Sequence, residues 1–181
     1  MTRHKSLPQP MWVIRAGERR EAHDLLVSHG RVVLSDPGLG DLSFIDADRE
    51  AFLAAYRLIR PDDSPTGSAT IAKGKFFRFV HDMQVGDTVI YLSVKEQRIY
   101  VGRVTSAYFY DEEFSATYPH QRHVKWRTVF PKSLLSDSAR GELGAARSFY
   151  MYKRHVNEIN SAVSDEEAVS FKDWMAQQKQ G

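Results

Sequence analysis

Residues 76–110 read FFRFVHDMQVGDTVIYLSVKEQRIYVGRVTSAYFY. Phe76, Phe79, Val80 and Met83 fall at i, i+3, i+4 and i+7, the spacing of a short amphipathic helix. Gly86-Asp87 turns the chain. Thr88–Leu92 is apolar and β-branched, which predicts a strand. Val94–Arg98 is a polar turn, and Ile99–Tyr108 predicts a second, longer strand. The first strand lacks polar alternation, so it should be covered from both sides or bent into a barrel. Gly102 marks a bend or a close approach by another group.

Outward from this stretch, Met11–Arg15 reads as a strand. Glu18–Ser28 reads as a helix with Ala22, Leu25 and Leu26 on one side, and Gly30 suits its left-handed cap. Val32–Leu34 is a further strand, followed by the glycine-containing loop Ser35–Ser43. Asp48 can cap a helix to Ile59 whose buried stripe is Phe52, Ala55, Tyr56 and Ile59, and Pro61 ends it. Residues 61–74 are loop-forming. Val124, Trp126, Thr128 and Phe130 alternate with Lys125 and Arg127, a strand with one wet face. Ser148–Tyr152 is the last strand. Ser164 and Glu167 have capping-box spacing ahead of a helix carrying Ala168, Phe171 and Met175, with Trp174 alongside. Short strands mixed with helices predict an α+β fold with a small closed or nearly closed sheet.

The 181 residues suit one domain with a real core, and the net charge of +2 does not by itself imply nucleic acid. The absence of cysteine excludes disulfides, thiolate metal sites and a cysteine nucleophile. The polar N-terminus is no secretory signal and no apolar run suits a bilayer span, so a cytoplasmic protein with no membrane association is expected. No phosphate-binding glycine motif is present. His120 and His123 alone approach metal-ligand spacing, Ser43 and Ser93 lack triad partners, and Asp111, Glu112 and Glu113 lack a nuclease lysine. No metal, no cofactor and no catalytic residue is expected. Basic residues cluster instead: Lys73, Lys75 and Arg78 at the central helix, Arg122, His123, Lys125 and Arg127 on one strand, and Arg147, Lys153 and Arg154 around the last strand. Such clusters attract a phosphate backbone.

MWVIRAG at 11–17, GDLS at 40–43, FRFVHDMQVGDTVIY at 77–91, YVGRVTSAYFY at 100–110, YPHQRHVKW at 118–126 and LGAARSFY at 143–150 follow one another in order. Together they resemble the N-terminal domain found ahead of the nuclease in some Mrr-type restriction endonucleases, related to the PUA-like superfamily with its EVE and YTH domains. The resemblance implies a small bent PUA-like β-barrel of about five or six strands with flanking helices. It implies an EVE-like domain at 11–155, while the polar, proline-containing N-terminus predicts a flexible tail at 1–10 and the capping-box helix predicts a helical extension at 156–181 packed on the barrel. It also implies a non-enzymatic nucleic-acid-binding module, for DNA rather than RNA, that holds a flipped modified base as part of a restriction or defence system. The base pocket would draw on Trp12, Arg15, Asp36, Asp41, Ser43, Tyr91 and Ser93, and the backbone contacts on Lys73, Lys75, Arg78, Arg122 and Lys125. The family pattern places a tryptophan at the position of Asp36, which cannot stack but can accept from an exocyclic amine. About thirty residues follow the last strand, too few for a nuclease, which leaves three cases: the chain works alone, it recruits a separate effector nuclease as partner, or the sequence is a trimmed piece of a longer protein. Two alternatives are an amidohydrolase-like enzyme for modified nucleosides, similar to ASCH domains, with Lys73 or Lys75 as base, and a protein-interaction domain using the final helix and Trp174.

Overall fold

A computed structural model describes residues 6–61 and 74–181. Strands β1 (Met11–Ile14), β2 (Arg31–Leu34), β3 (Thr88–Ser93), β4 (Arg98–Val104), β6 (His120–Pro131) and β7 (Phe149–Tyr152) pair in the order β2-β6-β4-β3-β1-β7. Two-residue strands β5 (Phe109–Tyr110) and β8 (Val169–Ser170) also pair with β6. The sheet curls into a half-barrel, antiparallel except where β1 runs parallel to β3. The α+β class and the bent sheet are as expected.

The doubly apolar strands have a direct cause. Trp12, Ile14, Val89, Tyr91 and Tyr100 enter one core cluster, while Met11, Val13, Ile90, Ile99 and Val101 enter a second on the opposite face. Side chains alternate across a strand, so both faces must be covered. Helices α4 (Asp137–Leu143) and α5 (Val156–Ala162) cover the second face through Ala139, Leu143, Ile159 and Ala162. The first face holds α1 (His23–Val27), α2 (Arg49–Ile59) and α3, a helical turn at 74–77 that widens into a π-turn over Arg78–Asp82.

Gly102 sits at a register shift between β4 and β6. A Cβ there would lie 2.7 Å from the Lys125 carbonyl and 2.9 Å from the Trp126 ring. Trp126 is thereby free to pack inward and donate Nε1–H to the Leu26 carbonyl at 2.6 Å.

Several expectations need correction. The helix assigned to 18–28 is only His23–Val27, because Gly17 and Arg20 adopt left-handed conformations that break it (φ +79° and +64°). The second central strand ends at Val104 rather than Tyr108. Asp48 does cap α2, accepting from Ala51 N–H at 2.8 Å, but Ile59 lies at its exposed end. The final helix, α6 (Phe171–Gln178), starts at Ser170, whose hydroxyl accepts from Asp173 N–H, and not at Ser164. The preceding residues turn and then form β8 against β6, which competes with helix formation there. Trp174 points inward, donating to the Tyr100 hydroxyl at 2.7 Å. Nor is the N-terminal segment loose throughout. Leu7 N–H donates to Asn160 and the Pro8 carbonyl accepts from Thr88. Among the described residues no helix is long and apolar enough to cross a membrane.

Candidate functional site

Beyond the end of β1 the chain makes the tight, partly left-handed turn at 17–22. This turn forms one wall of a cleft of about 470 Å³. Ligand sites commonly span roughly 300–1,000 Å³. The turn supplies Glu18, Arg19 and Glu21, and Arg15, just past β1, joins them. Val33, Leu34 and Ser35 from the end of β2 form an apolar wall with a hydroxyl above it. Lys75 of α3 enters from one side, and Tyr118 with Ser148 closes the others.

The polar groups are held in place. The Tyr118 hydroxyl donates to one Glu21 oxygen, and Arg19 N–H donates to the other at 3.0 Å. These bonds hold the Glu21 carboxyl below its ordinary value, the Tyr118 bond being the larger cause. A Cβ at Gly17 would overlap both the Tyr118 hydroxyl and the Glu21 carboxylate. Glycine is therefore required there twice, by its φ and by the close approach. Lys75 is half-buried, and that burial lowers its ammonium below the usual lysine range, against the opposing pull of Asp36 and Glu18. It makes no hydrogen bond or ion pair among the described residues.

Of the expected pocket residues, Arg15 lines this cleft, and it donates to the Glu18 carbonyl at 3.2 Å. Trp12 does not. It is fully buried, stacks on Phe149 with centroids 5.0 Å apart, and donates to Asp87 at 2.9 Å, so it is core. Asp36 lies outside the lining, and its carboxylate is taken by Arg60. Tyr91 and Ser93 are buried on β3, outside this lining. Tyr91 bonds His23 Nδ1 at 2.8 Å, and burial pushes its phenol up to about 12. Asp41 and Ser43 are exposed and bond each other, Ser43 N–H to Asp41 Oδ1 at 2.9 Å.

Among the expected backbone contacts, Lys75 is in the cleft and Lys73 lies outside the described residues. Arg78 is half-buried beside Arg49, Asp82 and Arg147, and burial lowers its guanidinium. Arg122 needs correction, because it is 2 % exposed. Its guanidinium donates to the carbonyls of Phe79 (2.8 Å), Val80 (2.9 Å) and Ser106 (3.1 Å). It thus satisfies carbonyls that the π-turn leaves open, and has no face for a phosphate. Burial brings it down to about 10. Lys125 is exposed on β6, beside a separate groove formed with the end of α1 and the start of α6.

The loop 36–43 is fixed from the other side. His120, fully buried, donates Nε2–H to the Asp36 carbonyl at 2.8 Å. Its Nδ1 therefore accepts from the Tyr108 hydroxyl (2.8 Å), which accepts from Leu42 N–H (3.2 Å). The sequence reading missed Glu18, Glu21 and Tyr118. The paired carboxylates flanking Arg19-Arg20 were the available signal. Among the described residues no group of His, Asp or Glu is placed to hold a metal ion.

No curated protein and no solved structure matches this chain. The family described as Domain of unknown function (DUF8426) matches residues 12–150, most of the sheet and all but the last two residues of β7, and the chain belongs to that family.

Proposed function

We propose that the chain is a non-enzymatic nucleic-acid-binding module whose cleft holds one base taken out of the stack. The observation that carries this is the convergence, around an apolar wall, of two carboxylates and two cations, of which Glu21 is fixed by the Tyr118 hydroxyl and Arg19 N–H, Arg15 by the Glu18 carbonyl, and Lys75 is half-buried. Glu18 and Glu21 are suited to accept from an exocyclic amine, as a carboxylate does from cytosine N4. Arg15 and Lys75 are suited to donate to a ring nitrogen or carbonyl of the same base. Unstacking a base costs a few kcal/mol, and a preformed set of partners offsets that cost. Asp36 leaves this role to the glutamates because Arg60 occupies it. The likeness to PUA-like domains supports the finer reading: DNA with a modified base, recognised in the cytoplasm as part of a restriction or defence system, with a separate nuclease as effector.

The test is binding to short single- and double-stranded oligonucleotides with plain, methylated or hydroxymethylated bases at two salt concentrations. The reading requires a modification-dependent gain that survives the higher salt and is lost in Glu21→Ala. Binding that merely fades with salt, equal for all bases, contradicts it.

The half-buried Lys75, with its lowered ammonium, favours one second reading: amide hydrolysis of an acylated nucleoside. Water adds to the acyl carbon, the carbon–nitrogen bond breaks, and the amine leaves carrying the proton. Release of free acid from N4-acetylcytidine, abolished by Lys75→Ala, would replace the binding reading with this one.

A further inference from the structure

A second, smaller concavity adjoins the cleft and shares Arg15 with it. It measures about 100 Å³, which accommodates a tetrahedral oxyanion but not a base with its sugar. Among the described residues three arginines line it, Arg15, Arg20 and Arg147, and no carboxylate does. Its remaining walls are mainly apolar, with Tyr91 on the β3 side.

The fold brings these three cations together. Arg15 N–H donates to the Ser148 carbonyl at 2.9 Å, extending the β1–β7 pairing by one step. Arg15 is thereby paired with Ser148, and Arg147 follows one residue along at the open end of that ladder, where both arginines line the concavity. Arg20 reaches the same cavity from the turn, where it holds a left-handed backbone that a non-glycine residue rarely adopts. Neither Arg20 nor Arg147 makes a side-chain hydrogen bond or ion pair among the described residues. Like charges gathered without a counterion disfavour one another unless an anion joins them. Guanidinium groups match phosphate oxygens two at a time.

We infer that this cavity binds the backbone phosphate adjoining the base held in the cleft, an inference that rests on the base-binding reading. Arg15, common to both concavities, joins the two contacts. The phosphate contact sets register, and the cleft reads the base.

The experiment measures the affinity of a mixed-sequence single-stranded DNA 12-mer over a range of salt. Arg20→Gly/Arg147→Ala removes two guanidiniums and relieves the left-handed strain, so its fold should survive, as a melting curve checks. Arg57→Ala/Arg103→Ala, outside both concavities, matches the charge loss. The arginine-cavity variant should bind about tenfold more weakly. Its plot of log affinity against log salt should flatten by about 0.7, one phosphate contact. The charge-matched control should keep the wild-type slope. Wild-type slope and affinity in the cavity variant overturn the phosphate site and leave the base reading standing. A wild-type protein that binds no oligonucleotide overturns both. Inorganic phosphate is titrated alone as a further arm. Phosphate binding lost in the cavity variant, with 12-mer binding unchanged, marks a free-anion site and also overturns the strand assignment.

Discussion

The cleft beside β1 and the groove beside β6 are similar in size, about 470 and 520 Å³, and both carry cations. They differ in how those cations are held. In the groove, Lys125, Arg127 and Lys172 are exposed side chains on a wet surface, free to rotate. In the cleft, Lys75 is half-buried, and Glu21 is fixed between the Tyr118 hydroxyl and Arg19 N–H. Volume and charge alone therefore do not distinguish a site. Polar groups that converge and are already oriented do, because a ligand then orders little on binding.

The largest expected effect concerns the cation of β6 that belongs to neither concavity. Arg122→Ala removes three charge-assisted bonds to buried carbonyls and should cost about 3–5 kcal/mol, read by urea unfolding. A loss under about 1 kcal/mol would return Arg122 to the surface and to phosphate contact. Next, Lys75→Glu should reduce oligonucleotide affinity about 100-fold. Arg127→Glu in the groove should change it no more than about threefold, the scale of a screened surface charge. Equal losses would erase the distinction between the two regions. Gly17→Ala sharpens it further. The left-handed backbone costs an alanine about 1–2 kcal/mol, and displacement of Tyr118 and Glu21 should weaken binding even where the protein remains folded.

The smallest effect is one of pH. Burial lowers the His120 imidazole, and the folded state needs Nδ1 as an acceptor from Tyr108. The unfolded chain thus takes up this proton at a higher pH than the folded one. Its contribution to stability is complete above the ordinary histidine value of about 6.5 and is lost as pH falls through the lower folded value. His120→Gln should flatten that acid limb of the stability profile. An unchanged limb would assign it to other groups.

Much of the fold was legible because its signals are local. The doubly apolar strands, Gly102, the Asp48 cap and the alternation at 124–127 each follow from a short run of residues. The turn at 17–22 was not legible, because the helical pattern at 18–28 gave way to a turn with left-handed Gly17 and Arg20, in which Glu21 is held by the hydroxyl of Tyr118, about a hundred positions away in the chain. The site was harder to read for the same reason. Arg122 and Lys125 belong to the same basic cluster in sequence, yet one is sealed beneath α3 and the other faces water. Trp12 and Tyr91 are aromatic candidates by type, and only packing shows that their rings are in the core. Asp36 was a plausible acceptor until Arg60, twenty-four residues on, proved to hold it.

The most direct test of the central claim is a backbone amide chemical-shift titration with the single-stranded DNA 12-mer. The shifts should concentrate at 15–21, 33–35, 75, 117–118 and 147–148. Shifts concentrated at 124–127 and 170–172 instead, with the cleft silent, would contradict it.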